Sequence, residues 1–128
     1  MKTAQILVVD DDDKSRTLAC DFLTVNGMQT TWAVDGEEGL LCVARQRPDL
    51  ILMDMRMPHL DGIETTHRLK GNPETASIPI VMLSASAMLE EKEQMRVAGC
   101  DAILTKPVAL PELLATVLRI LKPGSGKK

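Results

Sequence analysis

Aromatic side chains are almost absent from this sequence of 128 residues. Phe22 is the one phenylalanine, Trp32 is the one tryptophan, and there is no tyrosine. Proteins that bind single-stranded nucleic acid stack bases on aromatic rings, and this chain has almost none to offer. A basic excess is missing too, since 15 lysines and arginines against 18 acidic residues give a net charge of −3. We therefore expect no nucleic acid among its partners.

Cysteines are few, and long hydrophobic runs are missing. The three cysteines, Cys20, Cys42 and Cys100, are far apart and odd in number. This pattern favours unpaired, buried thiols in a reducing compartment over a disulfide frame or a metal site. The apolar run at residues 6–9 is too short for a signal peptide or a membrane span. We expect a cytoplasmic protein that does not interact with a membrane.

The composition that remains is that of one globular domain. Hydrophobic residues make up 45% of the chain and charged residues 26%, and the length suits one core rather than two. We expect a domain over residues 1–122. The segment 123–128 is rich in glycine, serine and lysine, and we expect it to be a disordered tail.

Short apolar runs alternate with helical stretches along the chain. Continuous apolar runs are typical of strands buried on both faces, as in a parallel sheet. They span residues 6–9, 50–53, 80–83 and 102–104. The segment 29–34 alternates and predicts an edge strand. The predicted helices span residues 14–26, 36–46, 62–70, 88–98 and 110–121.

This order predicts five βα units. Repeated β-α-β crossovers are right-handed and produce a parallel sheet with helices on both faces. In the first helix, helical spacing predicts that Leu18, Phe22 and Val25 face the core. For the helix over 88–98 the expected apolar anchors are Met88, Leu89, Met95 and Ala98.

Polar residues follow the predicted strands at their carboxyl ends. In open parallel sheets the working site lies outside these ends. We therefore expect acids, hydroxyls and one lysine to gather at one edge of the sheet. They are Asp10, Asp11, Asp12 and Asp13 after the first strand, Asp54 after the third, Ser84 and Ser86 after the fourth, and Lys106 after the fifth.

A cluster of carboxylates is unfavourable unless a cation lies within it. Mg²⁺ takes oxygen ligands and keeps several waters, so two or three carboxylates and a backbone carbonyl suit it. We assign Asp10 and Asp11 to a metal site, and Asp12 and Asp13 to the cap of the following helix. A calcium-binding EF-hand is excluded, because the run lacks its ligand spacing and its terminal glutamate.

Asp54 ends a very apolar run, and a lone aspartate there could simply cap a turn. Beside a metal and a lysine it becomes a candidate nucleophile, whose oxygen attacks phosphorus and holds an acyl phosphate. Lys106 would then neutralise the phosphoryl oxygens, and Ser84 would donate a hydrogen bond to one of them. Pro107 follows Lys106, and a cis bond between them would point the lysine into the site.

Four motifs in this order resemble the receiver domain of two-component response regulators. They are ILVVDDD, DLILMDMRMPHLDG, IPIVMLSASA and GCDAILTKPV, and the resemblance covers residues 5–121. It implies an α/β fold of the flavodoxin-like kind, a (βα)5 three-layer sandwich with parallel strand order 2-1-3-4-5. It also implies a stand-alone regulator that acts in signalling rather than as an enzyme, similar to regulators of chemotaxis, cell division or polarity.

The resemblance implies a role for each acidic site residue. Asp54 would accept phosphate from a phosphohistidine on a sensor histidine kinase or a histidine phosphotransfer protein. Asp10, Asp11 and Asp54, together with the backbone carbonyl of Arg56, would bind Mg²⁺. Phosphorylation of Asp54 would switch the binding of a downstream partner.

The resemblance also implies how the signal leaves the site. Ser84 and Lys106 would contact the phosphoryl group, and a target protein would bind the surface of residues 84–121. Ile103 stands where the family usually has Tyr or Phe, which puts the usual aromatic switch in doubt. Arg56 and Ser86 stand where the family sets the rate of dephosphorylation.

Other functions remain open from the sequence. A degenerate receiver would serve only as a protein-interaction module, and a phosphorelay intermediate would pass its phosphate to another histidine. An aspartyl phosphatase or mutase would have a second aspartate two residues after Asp54, where Arg56 stands. A nucleotide-binding domain would have a glycine-rich loop after the first strand, where the aspartate run stands.

Overall fold

Strands and helices alternate along the chain in the computed structural model, which describes residues 3–85 and 88–121. The strands are β1 Gln5–Val9, β2 Gln29–Ala33, β3 Leu50–Asp54, β4 Ile80–Ser84 and β5 Ala102–Thr105. The helices are α1 Asp13–Val25, α2 Gly36–Arg45, α3 Gly62–Lys70, α4 Leu89–Ala98 and α5 Leu110–Leu121. Ser86 and the predicted tail over 123–128 lie outside the described residues.

All five strands form one parallel sheet in the order β2-β1-β3-β4-β5, which confirms the predicted fold class. The predicted edge strand β2 lies at one border of the sheet, and β5 lies at the other. Val9 pairs with Met53, and Ser84 pairs with Thr105. This register brings the carboxyl ends of the strands level with one another, so the residues that follow them meet at one edge.

The core has two halves, one on each face of the sheet. Successive side chains of a strand point to opposite faces, so a continuous apolar run supplies both halves. Ile6 and Val8 of β1 lie in the half covered by α1 and α5, whereas Leu7 and Val9 lie in the half covered by α2, α3 and α4. The chain therefore has three layers, as predicted.

The predicted inner face of α1 is correct at Phe22, which is half-buried and packs against the core, and wrong at Leu18 and Val25. Leu18 is 55% exposed and Val25 is 84% exposed, whereas Ala19, Cys20 and Leu23 are buried. Arg16 lies on the same buried face and has hydrogen-bond partners there. A guanidinium can be buried when it is paired, so Arg16 occupies the inner face of the helix together with Ala19, Cys20 and Leu23. The spacing of the largest apolar residues therefore does not mark that face.

The predicted anchors of α4 are correct only in its second half. Met95 and Ala98 are buried, whereas Met88 and Leu89 are 61% and 83% exposed. The helix therefore contacts the core through its carboxyl-terminal half. Its first turn lies outside the core, an arrangement that the apolar character of Met88 and Leu89 conceals.

The cysteines are unpaired, as predicted, but only Cys20 is buried. Cys42 and Cys100 are half-buried. Both histidines, His59 and His67, are exposed. Among the described residues, no helix combines the length and the apolar character needed to cross a membrane.

Candidate functional site

Polar side chains meet at the carboxyl edge of the sheet. Asp10 follows β1, Asp54 and Ser84 end β3 and β4, and Lys106 follows β5. Asp10, Asp54 and Ser84 are buried, with 1%, 7% and 0% of their surface exposed. Buried polar groups are stable only when they are hydrogen-bonded, and buried charges only when an opposite charge is close by.

Three carboxylates form one cluster there. Asp10, Asp11 and Asp54 each offer an oxygen within 4.8 Å of the others, and Asp11 is the exposed member. The neighbouring aspartates serve α1 instead. Asp12 caps the helix by accepting a hydrogen bond from the Ser15 amide at 2.8 Å, and Asp13 pairs with Arg16. The predicted cap is therefore confirmed for Asp12, whereas Asp13 lies inside the helix and pairs with Arg16 instead of capping it.

Lys106 supplies the positive charge of the cluster. Its Nζ lies 3.2 Å from Asp54 Oδ1 and 3.4 Å from Asp10 Oδ2. The Lys106 amide donates to the Ser84 carbonyl at 2.6 Å, which ties the loop after β5 to the end of β4. The peptide bond between Lys106 and Pro107 is cis. One ammonium group and two buried carboxylates are therefore in direct contact.

The electrostatics of the cluster shift the pKa of two groups. The pKa of Asp54 is raised to about 6, mainly by burial and then by the Asp10 carboxylate, and Lys106 lowers it without cancelling the rise. Burial lowers the pKa of Lys106, but the Asp54 and Asp10 carboxylates outweigh that effect and the net direction is upward. The site thus holds more negative charge than one lysine can neutralise.

This donor set fits a small divalent cation. Carboxylate oxygens are the ligand type that Mg²⁺ prefers, and the exposure of Asp11 leaves room for the waters that Mg²⁺ retains. Three carboxylates carry more negative charge than the single ammonium of Lys106 can neutralise, and a divalent cation would neutralise the excess. The three carboxylates predicted as metal ligands are therefore together, and Arg56 lies in the loop after β3.

Arg16 supports the cluster from behind, a role that the sequence analysis does not identify. Its Nη1 donates to the backbone carbonyl of Asp10 at 2.9 Å, and its Nη2 donates to Asp13 at 2.5 Å. The spacing of Asp13 and Arg16 in one helix could have indicated their pairing. The contact with Asp10 joins the helix to the loop before it, and no sequence pattern marks it.

Gly62 is a second residue whose importance the sequence conceals. Its amide donates to the Met55 carbonyl at 2.8 Å. A Cβ at this position would lie 2.2 Å from the Asp54 carbonyl oxygen and 2.9 Å from the Met55 Cα. Only glycine allows the start of α3 to approach the end of β3 so closely. The predicted cap of that helix, Asp61, accepts a hydrogen bond from the Glu64 amide at 2.8 Å.

Arg56 extends away from the carboxylates toward α4. Its side chain is 68% exposed, and its Nη2 lies 2.6 Å from Glu91 Oε2. Ile103, at the position where the resembled family usually has Tyr or Phe, is half-buried and packs against the core half that contains Met95. The sequence analysis does not identify Glu91, because the pair joins residues 35 positions apart.

Comparison with known proteins agrees with this geometry. The family model described as the response regulator receiver domain matches residues 6–118. The polar-differentiation response regulator DivK of Brucella anthropi is 34% identical over 112 residues, which cover 88% of this chain and 91% of that protein.

Solved structures show the same similarity. A putative response regulator from Chloroflexus aurantiacus superposes with a TM-score of 0.90 and 32% identity, over 94% of this chain and 98% of that one. The receiver domain of a sensor histidine kinase from Pseudomonas aeruginosa, which has a magnesium ion coordinated in its active-site cleft, gives a TM-score of 0.87. It is 32% identical, over 94% of this chain and 98% of that one.

Proposed function

The chain belongs to the receiver domains of response regulators, and from this membership we propose that Asp54 is the residue that becomes phosphorylated. The donor is a phosphohistidine on a sensor histidine kinase or a histidine phosphotransfer protein. The observation that carries the proposal is the contact of Lys106 with both Asp54 and Asp10 at 3.2 and 3.4 Å. A degenerate receiver, used only for protein contacts, would have no need of this arrangement.

The transfer is a displacement at phosphorus. One carboxylate oxygen of Asp54 forms the new bond, and the bond between phosphorus and the imidazole nitrogen of the donor breaks with its electron pair left on nitrogen. The product is an acyl phosphate on Asp54. Lys106 lies where it can pair with a phosphoryl oxygen, and we assign Ser84 as a hydrogen-bond donor to the same group.

We assign Asp10, Asp11, Asp54 and the backbone carbonyl of Arg56 as the ligands of Mg²⁺. When bound, Mg²⁺ neutralises negative charge on the phosphoryl oxygens. The residues of the chain set the geometry around it. Arg16 holds the Asp10 carbonyl, and the close approach of Gly62 to Asp54 holds the end of β3 in place.

Phosphorylation makes the chain a switch rather than an enzyme that turns over a substrate. The phosphoryl group adds about −1.5 to −2 charge near neutral pH to an edge that is already acidic. We propose that the response reaches a target protein through the described part of residues 84–121, and that hydrolysis of the acyl phosphate ends the signal. We propose that Arg56 and Ser86 set the rate of this hydrolysis. The cytoplasmic location stays a prediction.

Intact-mass measurement after incubation with acetyl phosphate tests the proposal. We expect a phosphoryl adduct on the wild type in the presence of Mg²⁺ and none when EDTA replaces it. Asp54→Asn should prevent the adduct. Asp61→Asn is the matched control, because it makes the same change seven residues away and asparagine can still cap α3.

Each result separates the candidate functions. An adduct that persists in Asp54→Asn would show that another residue is the nucleophile. No adduct on the wild type, from acetyl phosphate or from a phosphorylated histidine phosphotransfer protein, would favour the degenerate receiver. Loss of the adduct in Asp54→Asn but not in Asp61→Asn would support the proposed acceptor.

A further inference from the structure

One ion pair joins the loop after β3 to the first turn of α4. Arg56 Nη2 donates to Glu91 Oε2 at 2.6 Å. Arg56 is separated from Asp54 by a single residue, and Glu91 is the third residue of α4. The pair therefore connects the proposed phosphorylation site with a helix that packs on a different part of the sheet.

Glu91 depends on this contact. Its side chain is only 21% exposed, and its second oxygen, Oε1, is buried without a hydrogen-bond partner among the described residues. A carboxylate removed from water is costly unless it is paired. If Arg56 moved away, Glu91 would lose its ion pair and would need to turn toward water. A movement of Arg56 is thus linked to a movement of the first turn of α4.

The first turn of α4 lies outside the core and differs at its N-cap from the first three helices. The N-cap residue Met88 makes no side-chain hydrogen bond to the helix, whereas Asp12, Asp35 and Asp61 cap the first three helices. Leu89 is 83% exposed, and the buried residues of α4, Met95 and Ala98, lie in its second half. The second half of α4 is thus packed into the core, while its first turn is joined to the rest of the chain by the ion pair of Glu91 with Arg56.

The position that would carry an aromatic switch is occupied by Ile103, which is half-buried. A branched aliphatic side chain has no ring to rotate between the interior and the surface. If phosphorylation of Asp54 is to reach α4 in this chain, a different element with two arrangements has to carry it. The ion pair of Arg56 with Glu91 joins the loop after Asp54 directly to α4.

We propose that Glu91 is a positioning residue for Arg56. It holds the guanidinium on α4 while Asp54 is unmodified, and it loses the guanidinium to the phosphoryl group when Asp54 is phosphorylated, so that the first turn of α4 is released. This inference rests on the proposed phosphorylation of Asp54. A phosphoryl group carries more charge than a carboxylate and accepts two hydrogen bonds from a guanidinium, so it competes effectively for Arg56.

Hydrogen exchange of residues 88–98 tests the release. The wild type is compared before and after phosphorylation with acetyl phosphate and Mg²⁺, and intact mass gives the phosphorylated fraction of each sample. We expect amides of the first turn of α4 to exchange about two- to fivefold faster after phosphorylation, the factor that loss of one partly exposed ion pair produces. Glu91→Gln should show the faster exchange without phosphate and gain little more from it.

Glu93→Gln is the matched control. It removes the same charge from the same helix, but Glu93 pairs with Arg96 inside α4 and not with the loop after β3. Loss of its pair with Arg96 can raise the exchange of unphosphorylated α4 by itself, but we expect phosphorylation to speed exchange in this variant by the same factor as in the wild type. Equal behaviour of Glu91→Gln and Glu93→Gln would overturn the inference, because the effect would then be one of helix charge alone.

A double-mutant comparison tests whether Glu91 acts through Arg56. In unphosphorylated protein, Arg56→Gln should speed exchange of α4 as Glu91→Gln does, and the double variant should exchange no faster than either. Additive effects would contradict the inference. A wild type that takes no phosphate would remove the proposed function and this inference together, whereas an adduct without any change in α4 would overturn the inference alone.

Discussion

The guanidinium of Arg16 lies over the ring of Trp32, with 4.5 Å between its central carbon and the ring centroid. The same guanidinium donates to the Asp10 carbonyl at 2.9 Å. One buried side chain therefore connects the edge strand β2, the start of α1 and the acidic cluster.

Replacing Arg16 should destabilise the fold. Arg16→Met keeps the apolar stem but removes the donors to Asp10 and Asp13 and the cation over Trp32, and we expect a loss of about 2–3 kcal/mol. Urea unfolding measures it. Arg68→Met is the control, because Arg68 pairs with Glu64 on the surface, and it should cost about 0.5 kcal/mol or less. Equal losses would show that the Arg16 contacts contribute nothing specific.

Metal binding should distinguish neighbouring aspartates. Asp11→Asn removes one member of the carboxylate cluster, and we expect Mg²⁺ affinity to fall about tenfold or more. Asp13→Asn makes the same change on a side chain that faces Arg16 and is 85% exposed, so it should change affinity less than about threefold. Calorimetric titration gives both constants. If both variants lose affinity equally, the cation is attracted by overall charge and not held by these ligands.

Lys106 should matter for phosphorylation and not for metal binding. Lys106→Met removes a cation that competes with Mg²⁺ for Asp10 and Asp54, so Mg²⁺ affinity should stay the same or increase. The rate of phosphorylation by acetyl phosphate should fall about a hundredfold, because a charge that stabilises the phosphoryl oxygens is lost. Lys14→Met, on the exposed face of α1, is the control. An unchanged rate would exclude the assigned role of Lys106.

The metal-free protein should lose stability as the pH rises from about 4 to about 6. The pKa of Asp54 is about 6 in the folded chain against an ordinary value of 3.8, so the folded state binds the proton more tightly within this window. Deprotonation then favours unfolding, by about 1–2 kcal/mol across the window. Urea unfolding in EDTA at several pH values measures the slope.

Asp54→Asn should remove this contribution to the slope, since asparagine does not titrate. Asp61→Asn makes the same substitution at the cap of α3 and should leave the contribution of Asp54 in place. A wild-type curve that rises with pH through the window, and that Asp54→Asn leaves unchanged, would contradict the assigned pKa.

The loop between β3 and α3 contains a residue in an unfavourable backbone conformation. His59 has a φ of 68°, in the left-handed region that favours glycine, and its side chain is exposed. His59→Gly should therefore raise the free energy of unfolding by about 0.5–1 kcal/mol. His67→Gly, inside α3, should lower it by about 1 kcal/mol. Thermal unfolding compares them, and a loss of stability in both variants would mean that the His59 side chain makes a contribution that outweighs the backbone strain.

Much of the architecture was available from local patterns. Continuous apolar runs marked the buried strands, and the predicted helix over 62–70 agrees with α3 at both ends. Because parallel strands bring their carboxyl ends to one edge, the sequence also predicted that Asp10, Asp54 and Lys106 would meet. These features follow from the order of elements and need no knowledge of individual side-chain contacts.

The remaining features depend on how the elements pack. The inner face of α1 was predicted correctly at Phe22 but not at Leu18 and Val25. Arg16 is buried there instead, because the Asp10 carbonyl of the preceding loop accepts its hydrogen bond. The contact between Arg56 and Glu91 joins the loop after β3 to α4, and the approach of Gly62 to Asp54 joins a helix start to a strand end.

By itself the sequence determined the order of strands and helices, the one-domain scale and the chemistry that collects at the edge of the sheet. Only the tertiary structure decided which charged side chains are buried, that an ion pair joins the first turn of α4 to the loop after β3, and that the absence of a Cβ at Gly62 lets the start of α3 approach the end of β3. The physical reason is range. Periodicity and caps act within one element, whereas these contacts form between side chains that packing alone brings within a few ångströms.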